Sequence, residues 1–238
     1  MPNWCQNSLT ITHDDPKMIA RAKAAFLDGK LFNEFIPVPQ DLVDTVSGYM
    51  GDGEDQRKLE AQSAKNRHAY GYANWYDFCC GEWGTKWDVA DGEIISETEN
   101  MLIMYFDTAW SPAIPAYDKL TALGFGIEAM YYEAGMNFCG SYNSEDGGDS
   151  YDITGDSEWV ELNIPSDINA QFAISEQMLE WEEENAEYED EDENEVLLDQ
   201  VLERIKEDIA SGDVAAATEL LGFIPVEKLK VYLDPENN

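Results

Sequence analysis

Positively charged residues are scarce in this sequence. It contains 14 Lys and Arg against 50 Asp and Glu, which gives a formal net charge of −36. Between Leu120 and Glu203 there is no Lys, Arg or His, whereas 24 Asp and Glu fall in the same stretch. A single-sign field of this size repels nucleic acid and anionic membranes and attracts proteins with a basic groove. The composition therefore argues against direct nucleic-acid or membrane binding and predicts a DNA-binding protein with a basic groove as the partner.

Long apolar runs are also missing. The longest covers six residues, Met101–Phe106, far short of the roughly 20 residues that span a bilayer. The N-terminal residues lack the basic and apolar regions of a secretory signal. The four cysteines are too few for a disulfide framework in a chain of this length, and Cys79 and Cys80 are adjacent. We therefore expect a soluble, reduced protein of the cytoplasm.

Catalytic and metal-binding motifs are absent as well. The sequence has no P-loop, no nucleophile elbow, no dinucleotide fingerprint and no zincin motif, and it contains only two His. No CxxC or HxxxH spacing occurs, so zinc is not expected. The oxygen-rich stretch Glu145–Asp152 lacks the spacing of an EF-hand loop, which favours a solvated hairpin tip. We expect a protein that is not an enzyme and holds no metal or cofactor.

The hydrophobic pattern predicts an α+β fold. The order is strand, helix, strand, strand, helix, strand, with added hairpin strands, which is typical of a ferredoxin-like antiparallel sheet with helices on one face. The continuous apolar run of the third strand indicates a strand covered on both faces. The predicted elements are a strand over Ser8–Thr12, a helix after Pro16, a short strand over Lys86–Val89, a strand over Met101–Phe106, a helix over Pro112–Leu123, a strand over Ile127–Tyr132, and further strands over Asn137–Tyr142, Tyr151–Ile153 and Trp159–Ile164.

Charge is distributed unevenly along the chain. Residues 1–143 hold 21 acidic and 10 basic residues, a net of −11, whereas residues 144–238 hold 29 and 4, a net of −25. After Pro165 the pattern becomes helical, and Leu198, Leu202, Ile205 and Ile209 follow the spacing of an amphipathic helix. We therefore expect a ferredoxin-like domain over residues 1–165 and an acidic helical C-terminal extension over residues 166–238.

Four blocks of the front half carry a family resemblance. They are MPNWCQNSLTI (1–11), GEWGTKWD (81–88), FDTAWSPAIP (106–115) and YYEAGMNFCG (131–140). In content, order and spacing they resemble the YubB-type ferredoxin-like domain family found on plasmids and phages. The resemblance covers about residues 1–142 and implies a ferredoxin-like fold in a protein of a bacterial mobile element, hence one that acts in a bacterial host cell. It implies no catalytic residues.

The two Trp-containing motifs allow two interpretations. In the WGTKWD motif, the two Trp side chains beside a Lys and an Asp could bind a ligand. Alternatively, the glycine forms a tight turn, the aromatic rings fill the core, and Lys86 pairs with a carboxylate; this second interpretation is favoured. Asp107 is expected to cap a turn or helix. The candidate motif residues are Trp83, Gly84, Lys86, Trp87, Asp88, Asp107 and Trp110.

The acidic run over residues 180–195 is the strongest functional signal. Sixteen helical residues span about 24 Å, so its 11 acids lie roughly 2.2 Å apart along the axis, against about 1.7 Å per charge in duplex DNA. The run is either a solubilising linker or a nucleic-acid mimic. We expect a mimic that inhibits a restriction, nuclease or CRISPR-type protein of the host. The alternative is a mobile-element accessory domain that binds a protein through its Trp-rich front half. The candidate partner-binding residues are Glu180, Glu182, Glu183, Glu184, Glu187, Glu189, Asp190, Glu191, Asp192, Glu193 and Glu195.

Overall fold

The fold is built on an open antiparallel sheet. The computed structural model describes residues 3–89, 92–212, 214–226 and 230, apart from the side chains of residues 186–196, 216, 217 and 220. Within these residues six strands form the sheet, in the order β2-β3-β1-β4-β5-β6. The α+β class and the antiparallel sheet predicted from the sequence are confirmed. The strands are β1 Trp4–Thr12, β2 Glu93–Glu97, β3 Met101–Ala109, β4 Gly126–Glu133, β5 Phe138–Asn143 and β6 Gly147–Asp152.

Helices fill the connections and the C-terminal part. Asp15 caps the first of them by accepting a hydrogen bond from the backbone N–H of Lys17, and Pro16 follows in the first turn. The helices are α1 Pro16–Leu27, α2 Leu31–Phe35, α3 Gln40–Val43, α4 Glu54–Tyr70, α5 Trp75–Glu82, α6 Ile114–Ala122, α7 Ser157–Asn163, α8 Ser166–Phe172, α9 Ile174–Ser211 and α10 Val214–Leu221. Among the described helices, none is both long and apolar enough to cross a membrane.

The main core lies between one face of the sheet and helices α1 and α6. Strand β1 alternates, so that Leu9 and Ile11 point into this core while Ser8 and Thr10 lie on the other face. Leu9 is paired with Met104 of β3, which carries the same alternation. Helix residues such as Phe26 complete this cluster of buried side chains.

Helices also cover part of the second face, so the prediction of helices on one face only was wrong. Phe172 of α8 is buried, with its ring centroid 6.3 Å from that of Tyr105 and 6.1 Å from that of Tyr132. Both tyrosines alternate with core residues and therefore lie on the opposite face of the sheet. The apolar run of β3 correctly indicated cover on both faces. The side chain that covers the second face of β3 belongs to α8, within residues 166–238, the predicted C-terminal extension.

Two predicted strands are not strands. Residues 159–163 lie in helix α7 and Ile164 is its C-cap, because the Asp156 side chain accepts a hydrogen bond from the backbone N–H of Trp159 at 2.9 Å and starts a helix there. Val160 and Ile164, four residues apart, are both buried. Residues 86–89 form an irregular turn, and the edge strand beside β3 is β2, at residues 93–97.

The two edge strands of the sheet are irregular or polar. Strand β2 has a register shift between Ile94 and Ser96 where it pairs with β3. Strand β6 contains two glycines and two aspartates, and its residues are exposed except for Tyr151, which is half-buried. Short, bulged or charged edges are common protections of open sheets.

The chain divides into two compact units, Met1–Glu176 and Gln177–Asn238. The boundary expected at residue 165 lies inside the first unit, since Ile168 and Phe172 of α8 are buried. Helix α9 runs from Ile174 to Ser211, and the acidic run over residues 180–195 lies within it. In the second unit α10 spans Val214–Leu221.

Candidate functional site

Half of the WGTKWD motif is buried and structural. The Trp83 ring is buried, and its Nε1–H donates to the carbonyl oxygen of Ile36 at 3.0 Å. Gly84 has φ +81°, and a Cβ there would come within 2.5 Å of Pro115 Cδ. Only glycine fits this turn without strain. The side chain of Thr85, also buried, accepts from the backbone N–H of Ala109 at 3.0 Å. These contacts match the core-filling interpretation.

Asp88 ties the motif to helix α2. Its carboxylate accepts from the backbone N–H groups of Phe32 at 2.9 Å and Asn33 at 2.7 Å, two free donors in the first turn of α2. A third bond comes from the N–H of Val89 at 2.8 Å. Burial raises the pKa of the Asp88 carboxyl, and the three N–H donors act in the opposite direction. Asp88 therefore positions the loop that presents the second half of the motif.

The second half of the motif is exposed and forms an aromatic cluster. Lys86 Nζ lies 4.3 Å from the ring centroid of Trp87 and 5.5 Å from that of Trp110. The rings of Trp87 and Trp110 are stacked, 6.4 Å apart and 23° from parallel, and Trp4 is 6.0 Å from Trp87. Trp4, Trp87 and Trp110 are 47%, 41% and 39% exposed. A carboxylate partner was expected for Lys86. Among the described residues, its ammonium instead lies over aromatic faces.

Trp110 adopts a backbone conformation that is unusual for a bulky residue. Its φ is +68°, in the left-handed region. Its N–H donates to the carbonyl oxygen of Asn3 at 2.9 Å, which holds the residue there. Next to it, the Ser111 hydroxyl donates to the carbonyl oxygen of Gly84 at 2.6 Å. Strain of about 1–3 kcal/mol persists only where surrounding contacts enforce it, and it is frequent at binding sites.

A cleft of about 570 Å³ opens beside the aromatic cluster. We call it the aromatic cleft. Four aromatic residues (Trp4, Trp87, Tyr105 and Phe106) and three acidic residues (Asp88, Glu93 and Asp107) line it. No described lining residue is positively charged. The cleft lies within the first unit, on the same face of the sheet as Tyr105.

Asp107 does not cap a turn or helix, contrary to expectation. It lies within β3, two residues after Tyr105, so both side chains point to the cleft face. Among the described residues, no hydrogen-bond donor contacts its carboxylate. Partial burial beside the aromatic walls raises its pKa, although solvent still reaches the group. Glu93 lies opposite Tyr105 on the neighbouring strand β2.

The sequence did not identify Trp4, Tyr105 or Glu93 as site residues. The alternation in β1 and β3 could have indicated that Trp4, Tyr105 and Asp107 share a face, because they occupy matching positions on paired strands. Glu93 could not be found in this way, since β2 was predicted at a different place.

Exposed carboxylates extend well beyond the acidic run. Over residues 145–167, which we call the acidic segment, eight carboxylates are exposed: Glu145, Asp146, Asp149, Asp152, Asp156, Glu158, Glu161 and Asp167. None of these eight carboxylates forms an ion pair with a described basic side chain. The negative charge of the acidic segment is thus not neutralised by described side chains.

Only part of the acidic run can be placed at side-chain level. Glu180, Glu183 and Glu184 are exposed on α9, and Glu182 is half-buried. The side chains of the remaining predicted partner-binding residues lie outside the described residues: Glu187, Glu189, Asp190, Glu191, Asp192, Glu193 and Glu195. In the part of the chain that the structure describes, no three His, Cys, Asp or Glu side chains are grouped to hold a metal ion.

Comparisons with known proteins give one structural similarity. No family model matches the chain, and no curated protein matches it. The structure is similar to the crystal structure of a protein api92 from Yersinia pseudotuberculosis, of family DUF1281. The TM-score is 0.35 with 13% sequence identity, over 65% of this chain and 99% of that chain.

The site geometry is suited to binding. The aromatic cleft offers flat apolar walls and carboxylate acceptors within one concave surface. The acidic segment and the exposed acids of α9 offer negative charge that is free to meet a basic partner.

Proposed function

We propose that this protein acts by binding, without catalysis, and that its carboxylates imitate the phosphates of duplex DNA. Its partner is a DNA-binding defence protein of a bacterial host, such as a restriction, nuclease or CRISPR-type protein, which it inhibits by occupying the basic groove. The observation that carries the proposal is the uninterrupted acidic stretch, which includes the eight exposed carboxylates of the acidic segment, none of them paired with a described basic side chain.

The helical backbone of α9 supports this proposal. A helix rises about 1.5 Å per residue, so the 11 acids over residues 180–195 follow one another at a spacing close to that of DNA phosphates. Carboxylates four residues apart, such as Glu180 and Glu184, repel by a few tenths of a kcal/mol per pair. A basic partner removes this cost on binding.

The fold supports the family assignment in the same proposal. We assign the first unit to the ferredoxin-like class, since β1, β2, β3 and β4 lie in the order β2-β3-β1-β4 and helices follow β1 and β3. Strands β5 and β6 extend this sheet, and the acidic helical extension follows it. A cytoplasmic location in the bacterial host accords with a partner that binds DNA.

The test is capture of the partner from a host lysate on the immobilised protein. We expect recovery of a basic DNA-binding protein that an added duplex of about 12 base pairs displaces, because 24 charges correspond to about 41 Å of DNA. Changing Glu180, Glu183 and Glu184 to Gln should weaken capture and reduce its dependence on salt.

The matched control changes three exposed acids outside the acidic stretch, Asp14, Glu60 and Glu99, to their amides. This variant should retain capture. Recovery of no DNA-binding protein at moderate salt, or equal loss in both variants, would contradict mimicry.

One observation favours a second candidate function. The exposed Trp cluster gives the front half a surface of the kind that carries binding energy in protein interfaces. In that case the protein is an accessory binding domain, and the acidic run only solubilises it. Neutralising residues 180–195 separates the two: a mimic loses its partner, whereas a front-half binder keeps it.

A further inference from the structure

The aromatic cleft contains the two features that recognise an organic cation. The aromatic side chains of Trp4, Trp87 and Tyr105 line it, and Glu93 and Asp107 provide carboxylate oxygens. A cation over an aromatic face is attracted by the ring quadrupole. The net charge of −36 adds long-range attraction for the same sign of ligand. Anionic ligands, including nucleotides, are disfavoured by the same charges.

Lys86 demonstrates that this cluster accepts a cation. Its ammonium lies over Trp87 and within 6 Å of the rings of Trp110 and Tyr76, at 5.5 Å and 5.8 Å. Lys86 is not one of the lining residues of the cleft. Trp87 is shared by the cleft and Lys86, whereas Trp4 and Tyr105 have no cation over their rings among the described residues.

Asp107 indicates which kind of cation the cleft can bind. Its carboxylate has no hydrogen-bond donor among the described residues, and the cleft walls partly desolvate it. A quaternary ammonium has no N–H group to donate to this carboxylate. A guanidinium presents planar N–H donors that fit a carboxylate at two points, and its plane stacks on an indole ring. A primary ammonium donates as a point charge and does not stack.

We propose that the aromatic cleft binds the guanidinium of an arginine side chain on a polypeptide partner, with the guanidinium stacked on the indole walls and donating to Asp107. Three considerations favour a polypeptide over a free guanidino compound. The cleft is open and of about 570 Å³, larger than a guanidinium alone needs. Three exposed Trp beside it, Trp4, Trp87 and Trp110, provide apolar area for the flanking chain. Arginine and tryptophan are also the residues most enriched at interface hot spots.

The test is titration of the full chain with the peptide acetyl-Gly-Arg-Gly-amide, followed by tryptophan fluorescence and calorimetry. The comparison ligands are the same peptide with citrulline or lysine in place of arginine, and free argininamide. Asp107→Asn should weaken binding of the arginine peptide about tenfold, since it removes a charge-assisted bidentate contact. Glu93→Gln, on the edge strand, is a second variant that should weaken binding less.

Asp152→Asn is the matched control, because it removes the same charge from an exposed aspartate elsewhere on the sheet. It should bind the arginine peptide as the unmodified protein does. The proposal is supported if arginine exceeds lysine and citrulline and only the cleft variants lose binding. It is overturned by absence of arginine-peptide binding, by equal binding of the lysine or citrulline peptide, by equal loss in the control, or by argininamide binding as tightly as the peptide. The cleft and the acidic run over residues 180–195 share no residue, so this titration and the lysate capture can fail independently.

Discussion

Replacing Asp88 by Ala should destabilise the first unit by about 2 kcal/mol. The carboxylate serves three backbone N–H groups, at 2.9, 2.7 and 2.8 Å. Alanine leaves the donors of Phe32 and Asn33 at the start of α2 without this acceptor. Phe32 is fully buried, so water cannot replace the carboxylate at its amide.

The magnitude follows from two opposing contributions. Loss of a side-chain cap costs about 1 kcal/mol, and a buried N–H left without a partner costs about 1–3 kcal/mol. Against this, alanine removes a buried carboxylate whose pKa is raised by desolvation, which returns part of the loss. The balance is about 2 kcal/mol, or a fall in Tm of roughly 4–8 °C for a unit of this size.

The measurement is urea unfolding of the full chain, followed by tryptophan fluorescence, with Asp152→Ala as the control. The control should change the free energy of unfolding by less than about 0.5 kcal/mol, as exposed substitutions usually do. The folded pKa of Asp88 is raised because burial disfavours its ionised form, so the folded state favours the protonated carboxyl. The resulting stability is present at low pH and is lost as pH rises through the folded pKa. The difference in free energy of unfolding between the unmodified protein and Asp88→Ala should therefore be larger in mild acid than near pH 7. If Asp88→Ala unfolds at the same urea concentration as the control, these hydrogen bonds do not hold the loop and the reasoning is wrong.

Three further predictions address the site and its surroundings. Asp107→Asn should raise Tm near neutral pH, because the raised pKa of Asp107 shows that the fold disfavours its ionised form. In mild acid the native carboxyl becomes protonated, so calorimetry there should show no gain in Tm. Gly84→Ala should cost about 1–3 kcal/mol in urea unfolding, because φ is +81° and the new Cβ would meet Pro115; an unchanged midpoint would show that the turn adapts freely. In alkylation with iodoacetamide, half-buried Cys80 should react before Cys79, where burial raises the pKa to about 12, and before buried Cys139, where it raises the pKa to about 11; mass spectrometry that finds Cys139 modified first would contradict the packing.

The sheet was largely predictable because its strands carry local signals. The alternation in Ser8–Thr12 and the apolar run in Met101–Phe106 depend only on neighbouring residues, and both fall within observed strands. Residues 159–164 were predicted as a strand because their apolar residues alternate. The same segment also has two buried residues four positions apart, Val160 and Ile164, which is typical of a helix. The cap from Asp156 favours the helix, and its effect becomes visible only in three dimensions.

The candidate site was only partly predictable. The WGTKWD motif was recognised as important, yet its two halves have different roles: Trp83 is buried, and Trp87 is exposed. Successive side chains of one turn point to opposite sides, and which side is the core depends on the distant partners Ile36 and Pro115. Trp4 was not singled out as a site residue, because its proximity to Trp87 arises from strand pairing across the sheet.

The irregular borders of the sheet limit how another protein can attach. The register shift in β2 interrupts the even row of donors and acceptors that an incoming strand would have to match. At the opposite border, Asp149 and Asp152 place negative charge beside any chain that approaches β6. Extension of the sheet by a foreign backbone is thus discouraged on both sides, which also protects the protein against fibrous self-association. Recognition must then operate through side chains, and so it can discriminate between partners by their sequence.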